Sequence, residues 1–453
     1  MMSRIIRFIG SPLHWLLDDV LRRLLKNAGA LFSGNMAASL LSLASLALAA
    51  RALGVEGFGI LTIITTYVLI VDRLVNTQTW QAVIRYGADA LEQNRENDFK
   101  SVIKFGFFLD GATALLGTVL AASAAWYLGQ WRNWDQQLTV MAAAYSITIL
   151  FHVQGAPMAV LRLFDRFDMV AWHNVIAAVI KLTGAAIAFL AGAGLWAFLL
   201  VWAVVDILGK SLLVFFSYRE LASRGCHKFL HADIRNMSGR FAGIWGFVWT
   251  TNLNSSIRMA SREADVMIIA AILGTGAVGL YKIAKQFSLV IQRTIDPLYQ
   301  SIFPELARLF SRGEGEAFVR LVMRSSILAG LFAFCIWLGF FFFGEHIISL
   351  IAGAEYLSSK GVMLWYMLAT VVAAASFPLQ PAMLSMGLPQ TTFWVHLGST
   401  MVYFLALPIL LGSTGLVGAG MAYLIYYVAW SLAMLGTEAM VLSKKLTYAG
   451  NSY

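Results

Sequence analysis

Charge and cysteine are both scarce in this sequence. Only 13% of its 453 residues are Asp, Glu, Lys or Arg, about half of the ~25% usual in soluble domains. Too few polar side chains remain to cover a water-facing surface, which excludes an ordinary soluble enzyme, a disordered chain and a nucleic-acid-binding domain. The two cysteines, Cys226 in a basic stretch and Cys335 inside an apolar run, give no disulfide framework, and no cluster has metal-ligand spacing. No segment between apolar runs is longer than roughly two dozen residues, so a separate catalytic domain of about 50 residues or more has no room.

Hydrophobic residues make up 59% of the chain and the mean hydropathy is +0.72. A helix needs about 20 apolar residues to cross the hydrocarbon core. Dividing the chain at its glycine, proline and charged breaks gives about twelve such segments, at 28–50, 58–80, 102–128, 138–160, 168–191, 194–217, 242–272, 276–303, 325–344, 361–385, 391–412 and 415–437. The expected fold class is therefore an all-α integral membrane protein. Before the first span, Leu13, Leu16, Leu17, Val20, Leu21, Leu24 and Leu25 recur at helical spacing opposite Asp18, Asp19, Arg22, Arg23 and Lys26. Residues 1–27 read as an amphipathic helix lying in the membrane interface.

The net charge of +9 bears first on orientation. With alternating spans, one side collects Arg4, Arg7, Arg22, Arg23, Lys26, the run Arg219, Arg224, Lys228, Arg235 and Arg240, and then Arg308, Arg312, Arg320 and Arg324. The other side holds only Arg51, Arg132 and Lys360. The positive-inside rule puts both termini in the cytoplasm.

An internal repeat organises the spans. Leu53–Ile60 and Leu273–Leu280 both read L-G-x-x-x-[FV]-G-[IL], 220 residues apart, and Gly194–Ala197 is echoed by Gly415–Gly418 at an offset of 221. The shared offset implies two homologous halves of six spans. Six is even, so both halves enter from the same side, related by a pseudo-two-fold axis along the membrane normal. The expected organisation is 28–218 and 241–437 as two lobes, 219–240 as a basic cytoplasmic linker and 438–453 as a cytoplasmic tail.

Ionisable side chains in mid-membrane are costly and normally face a protein interior or a wet cavity. In the first half these are Asp72, Arg73, Asp110, Lys181, Asp206 and Lys210. Asp206 and Lys210, at i,i+4, are either a local ion pair or part of a site. Asp110 stands alone in the third span, to partner Lys181 or to carry a coupling ion. In the second half, Asn254, Arg258, Arg262 and Asp265 share one helical face, and Lys282, Lys285, Gln286, Gln292, Arg293 and Asp296 share another. The charged residues of these two spans are Arg258, Arg262, Glu263, Asp265, Lys282, Lys285, Arg293 and Asp296, five cations against three anions. They are either self-compensating pairs or the wall of a cationic, water-filled vestibule. Such a cavity suits an anionic ligand, since Arg binds phosphate in a bidentate manner and Lys acts as a point charge. Tyr366, Gln380, Tyr423, Tyr426 and Tyr427 offer rings and hydroxyls suited to sugars.

The segment Arg51–Gly59, the segment Asp265–Gly274 leading into Val278–Tyr281, and the Ser301–Leu306 run closing the eighth span resemble the motifs of polysaccharide flippases. These are the O-antigen and exopolysaccharide transporters of the multidrug/oligosaccharidyl-lipid/polysaccharide (MOP) superfamily. The resemblance implies flipping of undecaprenyl-pyrophosphate-linked oligosaccharides from the cytoplasmic to the outer leaflet, by alternating access in the bacterial inner membrane. On it, Arg258, Arg262, Lys282, Lys285, Arg293, Lys181 and Asn254 are the expected substrate contacts, and Asp110, Asp206 and Asp265 the expected ion-coupling groups. No catalytic residue, metal or cofactor is expected beyond a proton or sodium gradient. The implied partners are the polyprenyl-linked substrate, membrane lipids and other polysaccharide-assembly proteins, with no nucleic acid. Alternatives are a cation-coupled exporter of drugs or metabolites, a membrane-embedded glycan polymerase or ligase, and a structural scaffold. The net positive charge of spans seven and eight argues against cationic drugs. The longest outer loop, with only Glu345, His346, Glu355 and Lys360, offers an enzyme little acid/base chemistry.

Overall fold

The computed structural model describes the backbone of residues 19–77, 79–131 and 135–450. It also describes their side chains, except 19–35, 128, 130, 131, 227, 253–262, 290, 293, 294, 296, 297, 299–301, 304 and 439–450. Of the interfacial helix expected over 1–27, residues 1–18 lie outside the described part, and the backbone from Asp19 is continuous with the first long helix.

All regular structure among the described residues is helical. Helix α1 is Asp19–Val75, α2 Trp80–Glu92, α3 Glu96–Trp131, α4 Gln136–Tyr145, α5 Gly155–Leu163, α6 Phe167–Leu190 and α7 Leu195–Ser223. Then come α8 Ile244–Ser311, α9 Gly315–Ile351, α10 Lys360–Ala375, α11 Leu379–Ser385, α12 Pro389–Thr414 and α13 Val417–Gly450. Two compact units emerge. One holds the described residues up to Ala52 together with Tyr67–Ala260; the other holds Leu53–Thr66 and the described residues from Ser261 onward.

Helices α1 and α8 have 57 and 68 residues. At 1.5 Å per residue they would be roughly 85–100 Å long, about three times the ~30 Å hydrocarbon thickness. Neither crosses as one rod. Each is broken at a single glycine, Gly54 (φ 67°, ψ 179°) in α1 and Gly274 (φ 83°, ψ −176°) in α8. Positive φ is open to glycine because no Cβ clashes there. These are the same position of the two repeat motifs, in nearly the same conformation. Among the described residues, ten segments are long and apolar enough to cross a membrane. Two of them, Met36–Val75 and Glu263–Leu289, contain the glycine breaks and so correspond to two expected crossings each. The fold is all-α and membrane-integral, with about twelve crossings in two six-helix lobes.

The last glycines of the two motifs meet within the second unit. A Cβ on Gly59 would sit 1.9 Å from the Thr275 carbonyl oxygen, and one on Gly279 would sit 2.2 Å from that of Val55. Each such Cβ would also lie 3.2 Å from the other glycine's backbone nitrogen. Exchanging the motifs maps the contact onto itself, as a two-fold axis requires.

The fourth crossing of each half departs from the expected unbroken helices over 138–160 and 361–385. In the first half, α4 passes into a 3-10 segment, Ser146–Phe151, and the chain leaves helical geometry before α5 begins at Gly155. In the second half, turn residues around Pro378 separate α10 from α11. Proline lacks the N–H that a continuing helix needs, but fits a first turn, as Pro157 does in α5.

Residues 219–240 belong to the first unit and pack into its core. Cys226, Phe229, Met237 and Phe241 join a core with Phe99, Ile103, Val160 and Leu221. The Arg240 guanidinium pairs with Asp98 and donates to Ser101 Oγ (3.0 Å) and the Asp233 carbonyl (2.8 Å), while Lys104 Nζ donates to the Ala232 carbonyl (2.8 Å). Burial pushes the Cys226 thiol up from its ordinary value, which lowers its thiolate fraction. Maleimide labelling of Cys226 should therefore be slow in the folded protein. Arg240→Ala, which cuts the Asp98 link, should speed it by about tenfold by easing local opening.

Large apolar side chains such as Leu190, Leu350, Leu405 and Ile409 are exposed, as expected of a chain whose helices face lipid.

Candidate functional site

The break between α4 and α5 leaves backbone groups without helical partners inside an apolar span, where each unsatisfied group is costly. Side chains from neighbouring helices satisfy them. Asn76 Nδ2 donates to the His152 carbonyl (3.0 Å) and to Asp72 Oδ1 (3.2 Å). His152 Nδ1 lies 3.1 Å from the same carboxylate oxygen, with the ring off the line of a hydrogen bond. Asp110 on α3 is fully buried. Its Oδ2 accepts from the Ala156 N–H (2.8 Å) and its Oδ1 from the Thr79 hydroxyl (2.6 Å). The N-terminus of α5 is a favourable place for that carboxylate. Gly155 is required beside it, since a Cβ there would come within 3.0 Å of both Asp110 oxygens.

Two of the pairings that the sequence left open are not formed in this unit. Asp206 and Lys210 do not form the i,i+4 ion pair. Lys210 Nζ donates to Gln154 Oε1 (2.5 Å), and Asp206 Oδ2 accepts from the Tyr145 hydroxyl (2.9 Å). Both side chains turn toward the broken crossing, whose polar groups need partners more than the exposed flank of α7 does. Lys181 is not the partner of Asp110 either: its Nζ stands 4.2 Å over the Trp202 ring, a cation–π contact.

In the second unit Asp265 is the centre. Its carboxylate accepts from the Tyr281 hydroxyl (2.5 Å), the Val266 N–H (2.8 Å) and Lys285 Nζ (3.0 Å), and Lys285 is also 3.8 Å from Glu263. Lys285 is thus a compensated charge. Lys282, half-buried one turn earlier, has no carboxylate within 4.0 Å among the described residues. From Tyr281 an aromatic ladder runs across α10, α12 and α13. Tyr281 meets Tyr366 edge-on at 5.9 Å, Tyr366 stacks on Tyr423 at 4.0 Å, and Tyr403, Tyr426 and Tyr427 pack around Tyr423. The side chains of Asn254, Arg258, Arg262 and Arg293 lie outside the described residues. A groove of about 410 Å³ between α8 and α9, walled by Ile295, Leu298, Ile302, Leu328 and Phe332, suits a hydrocarbon chain.

The structure brings Asp265, Lys285 and Lys282 together in one unit, and Asp110, Asp206 and Lys181 into the other, each with separate partners. Sequence reasoning missed His152, Gln154 and Tyr145 in the first unit and Tyr403 in the second. One signal was available: His152 and Gln154 interrupt an apolar run just before Gly155 and Pro157, so polar groups and a helix breaker coincide.

Residues 24–310 match the family model described as polysaccharide biosynthesis protein. The inner membrane protein YghQ of Escherichia coli (strain K12) is 30% identical over 349 residues, covering 76% of this chain and 97% of that protein. Among solved structures, the inward-facing conformation of a multidrug resistance MATE family transporter of the MOP superfamily aligns with a TM-score of 0.73, at 12% identity over 90% of this chain and 95% of the other. An outward-facing MATE transporter aligns at 0.61, again at 12% identity, over 93% and 96%. Sequence thus supplies the family and the solved structures supply the fold: the chain belongs to the polysaccharide biosynthesis protein family, a multi-pass membrane protein with the fold of the MOP-superfamily transporters.

Proposed function

We propose that this protein flips undecaprenyl-pyrophosphate-linked oligosaccharides from the cytoplasmic to the outer leaflet of the bacterial inner membrane, with both termini in the cytoplasm. The observation that carries this reading is the family match over 24–310 on a chain that has the fold of transporters. The inner-membrane name of the Escherichia coli relative supports the location.

In this account Arg258, Arg262, Lys282, Lys285 and Arg293 are the cationic contacts of the pyrophosphate, and Asn254 and Lys181 are further substrate contacts. The polyprenyl tail stays in lipid. The contact between Lys285 and Asp265 (3.0 Å) gives coupling a physical form. While Asp265 is charged it occupies Lys285; a proton or cation on Asp265 frees the ammonium for phosphate, and the loss of that ion draws it back. Asp110 and Asp206 are the corresponding groups of the other unit.

Deleting the gene should make lipid-linked oligosaccharide accumulate on the cytoplasmic leaflet. Accumulation of unpolymerised units on the outer leaflet would favour a polymerase or ligase instead. Arg258→Ala combined with Lys282→Ala should reduce export about tenfold or more while insertion and abundance hold, since each removes a charge-assisted contact to phosphate. Unchanged export would remove these two residues from the site.

One observation favours a second reading, a cation-coupled exporter. The fold is shared with multidrug resistance MATE family transporters. Drug export by the purified protein, with no movement of lipid-linked sugar, would select it.

A further inference from the structure

At the broken crossing of the first unit, two buried ionisable side chains, His152 and Asp72, have no part in the proposed function. His152 is 6% exposed. Its Nδ1 lies 3.1 Å from Asp72 Oδ1, off the line of a hydrogen bond, and its Nε2 has no hydrogen-bond partner among the described residues. Thr148, fully buried four residues earlier on the 3-10 segment, also has a hydroxyl without a partner there. Unpaired polar atoms in such a place are rare in a finished interior, and they lie where the helix is already broken.

Asp72 touches the His152 ring from α1; near Asp72 lie Arg73 on α1, Asp110 on α3 and Lys210 on α7, with Asp206 near Lys210. Tyr145 on α4 bonds to Asp206, and His173 on α6 lies beyond Lys210. Among the described residues, His152 is the basic side chain in direct contact with the Asp72 carboxylate. An unpaired charge inside a membrane is unfavourable, and a proton on the ring would pair it. Histidine is the side chain that ordinarily changes charge near neutral pH.

We infer that His152 and Asp72, set at the break between α4 and α5, form a proton-binding site whose loading turns the ring onto the carboxylate and tightens the broken crossing. The proton enters on the free imidazole nitrogen, giving an imidazolium held against the Asp72 carboxylate. On release the ring returns to its off-line position. Because Asn76 holds both the His152 carbonyl and Asp72, and Asp110 holds the start of α5, the rotation is transmitted to the backbone on both sides of the break. As the coupling step of the transport cycle this rests on the proposed function and specifies its ion as a proton; as a binding site it does not.

The test uses the intact protein in proteoliposomes adsorbed on a solid-supported membrane, without substrate. A pH jump should give a transient charge displacement, and a sodium jump at constant pH should give none. His152→Gln and Asp72→Asn should each reduce the displacement by about tenfold or more, because either removes one half of a pair whose charged form the other half stabilises. The exposed His346→Gln should leave it at the wild-type size. A wild-type displacement evoked by sodium and not by pH would overturn the inference, whatever the variants do. So would a full-sized pH response in His152→Gln. If the pH response behaves as expected but no lipid-linked sugar moves, the proton site stands and the flippase reading falls.

Discussion

Gly59→Ala and Gly279→Ala should be among the most damaging single-methyl additions in the protein. At both positions the new carbon would meet a backbone carbonyl, at 1.9 Å and 2.2 Å, and backbone cannot swing aside as a side-chain tip can. Overpacking commonly costs about 1–3 kcal/mol, and a backbone obstacle on both sides puts these variants at or above that range. Alanine's better helix propensity recovers only about 1 kcal/mol. Gly276→Ala is the internal comparison. It lies in the same motif, but the nearest atom to its added carbon is a Val55 methyl at 3.8 Å, so it should be neutral or mildly stabilising. Thermal unfolding of the solubilised protein measures all three. Because Gly59 and Gly279 share one contact, the double variant should lose less than the sum of the singles. Additive losses would mean that the two motifs do not cross as described.

Asp110→Ala should destabilise by a comparable amount for an unrelated reason. The carboxylate accepts from the Ala156 N–H and the Thr79 hydroxyl. Without it two buried donors are stranded, at about 1–3 kcal/mol each. Asp110→Asn keeps one acceptor oxygen but turns an amide NH₂ toward a donor, so it should fall between alanine and wild type. Thr79→Val removes one of the two hydrogen bonds and should cost least. Hydrogen exchange at the start of α5 should accelerate in the same order. If Asp110→Ala were as stable as wild type, the carboxylate would not be the cap of α5, and the account of the broken crossing would need revision.

The spans and the duplication were readable in the sequence because both follow from local demands. Twenty apolar residues are needed to cross lipid, and Gly54, Gly59, Gly274 and Gly279 stand where a turn or a backbone contact admits no side chain. Each of two pairs of expected spans is divided by a glycine break, and that glycine is the one the repeat motif marks. The polar interior was less legible. Asp206 and Lys210 are neighbours on α7, and helical spacing alone favours pairing them; their actual partners, Tyr145 and Gln154, come from a crossing whose break frees those groups. Lys285 can be read as a free cation of the vestibule until Asp265, twenty residues away in sequence, is found 3.0 Å from it. Spacing along one helix fixes which residues share a face, and only packing decides which charges on that face meet.

The most direct test of the account is a leaflet-resolved flipping assay. Purified protein in proteoliposomes would receive a fluorescent undecaprenyl-pyrophosphate-linked oligosaccharide, and a membrane-impermeant quencher would report the fraction left in the outer leaflet. The account predicts protein-dependent exchange between leaflets, driven by an imposed pH gradient and lost in the Arg258→Ala, Lys282→Ala double variant. Exchange no faster than in protein-free vesicles, with folded protein and the gradient in place, would contradict it.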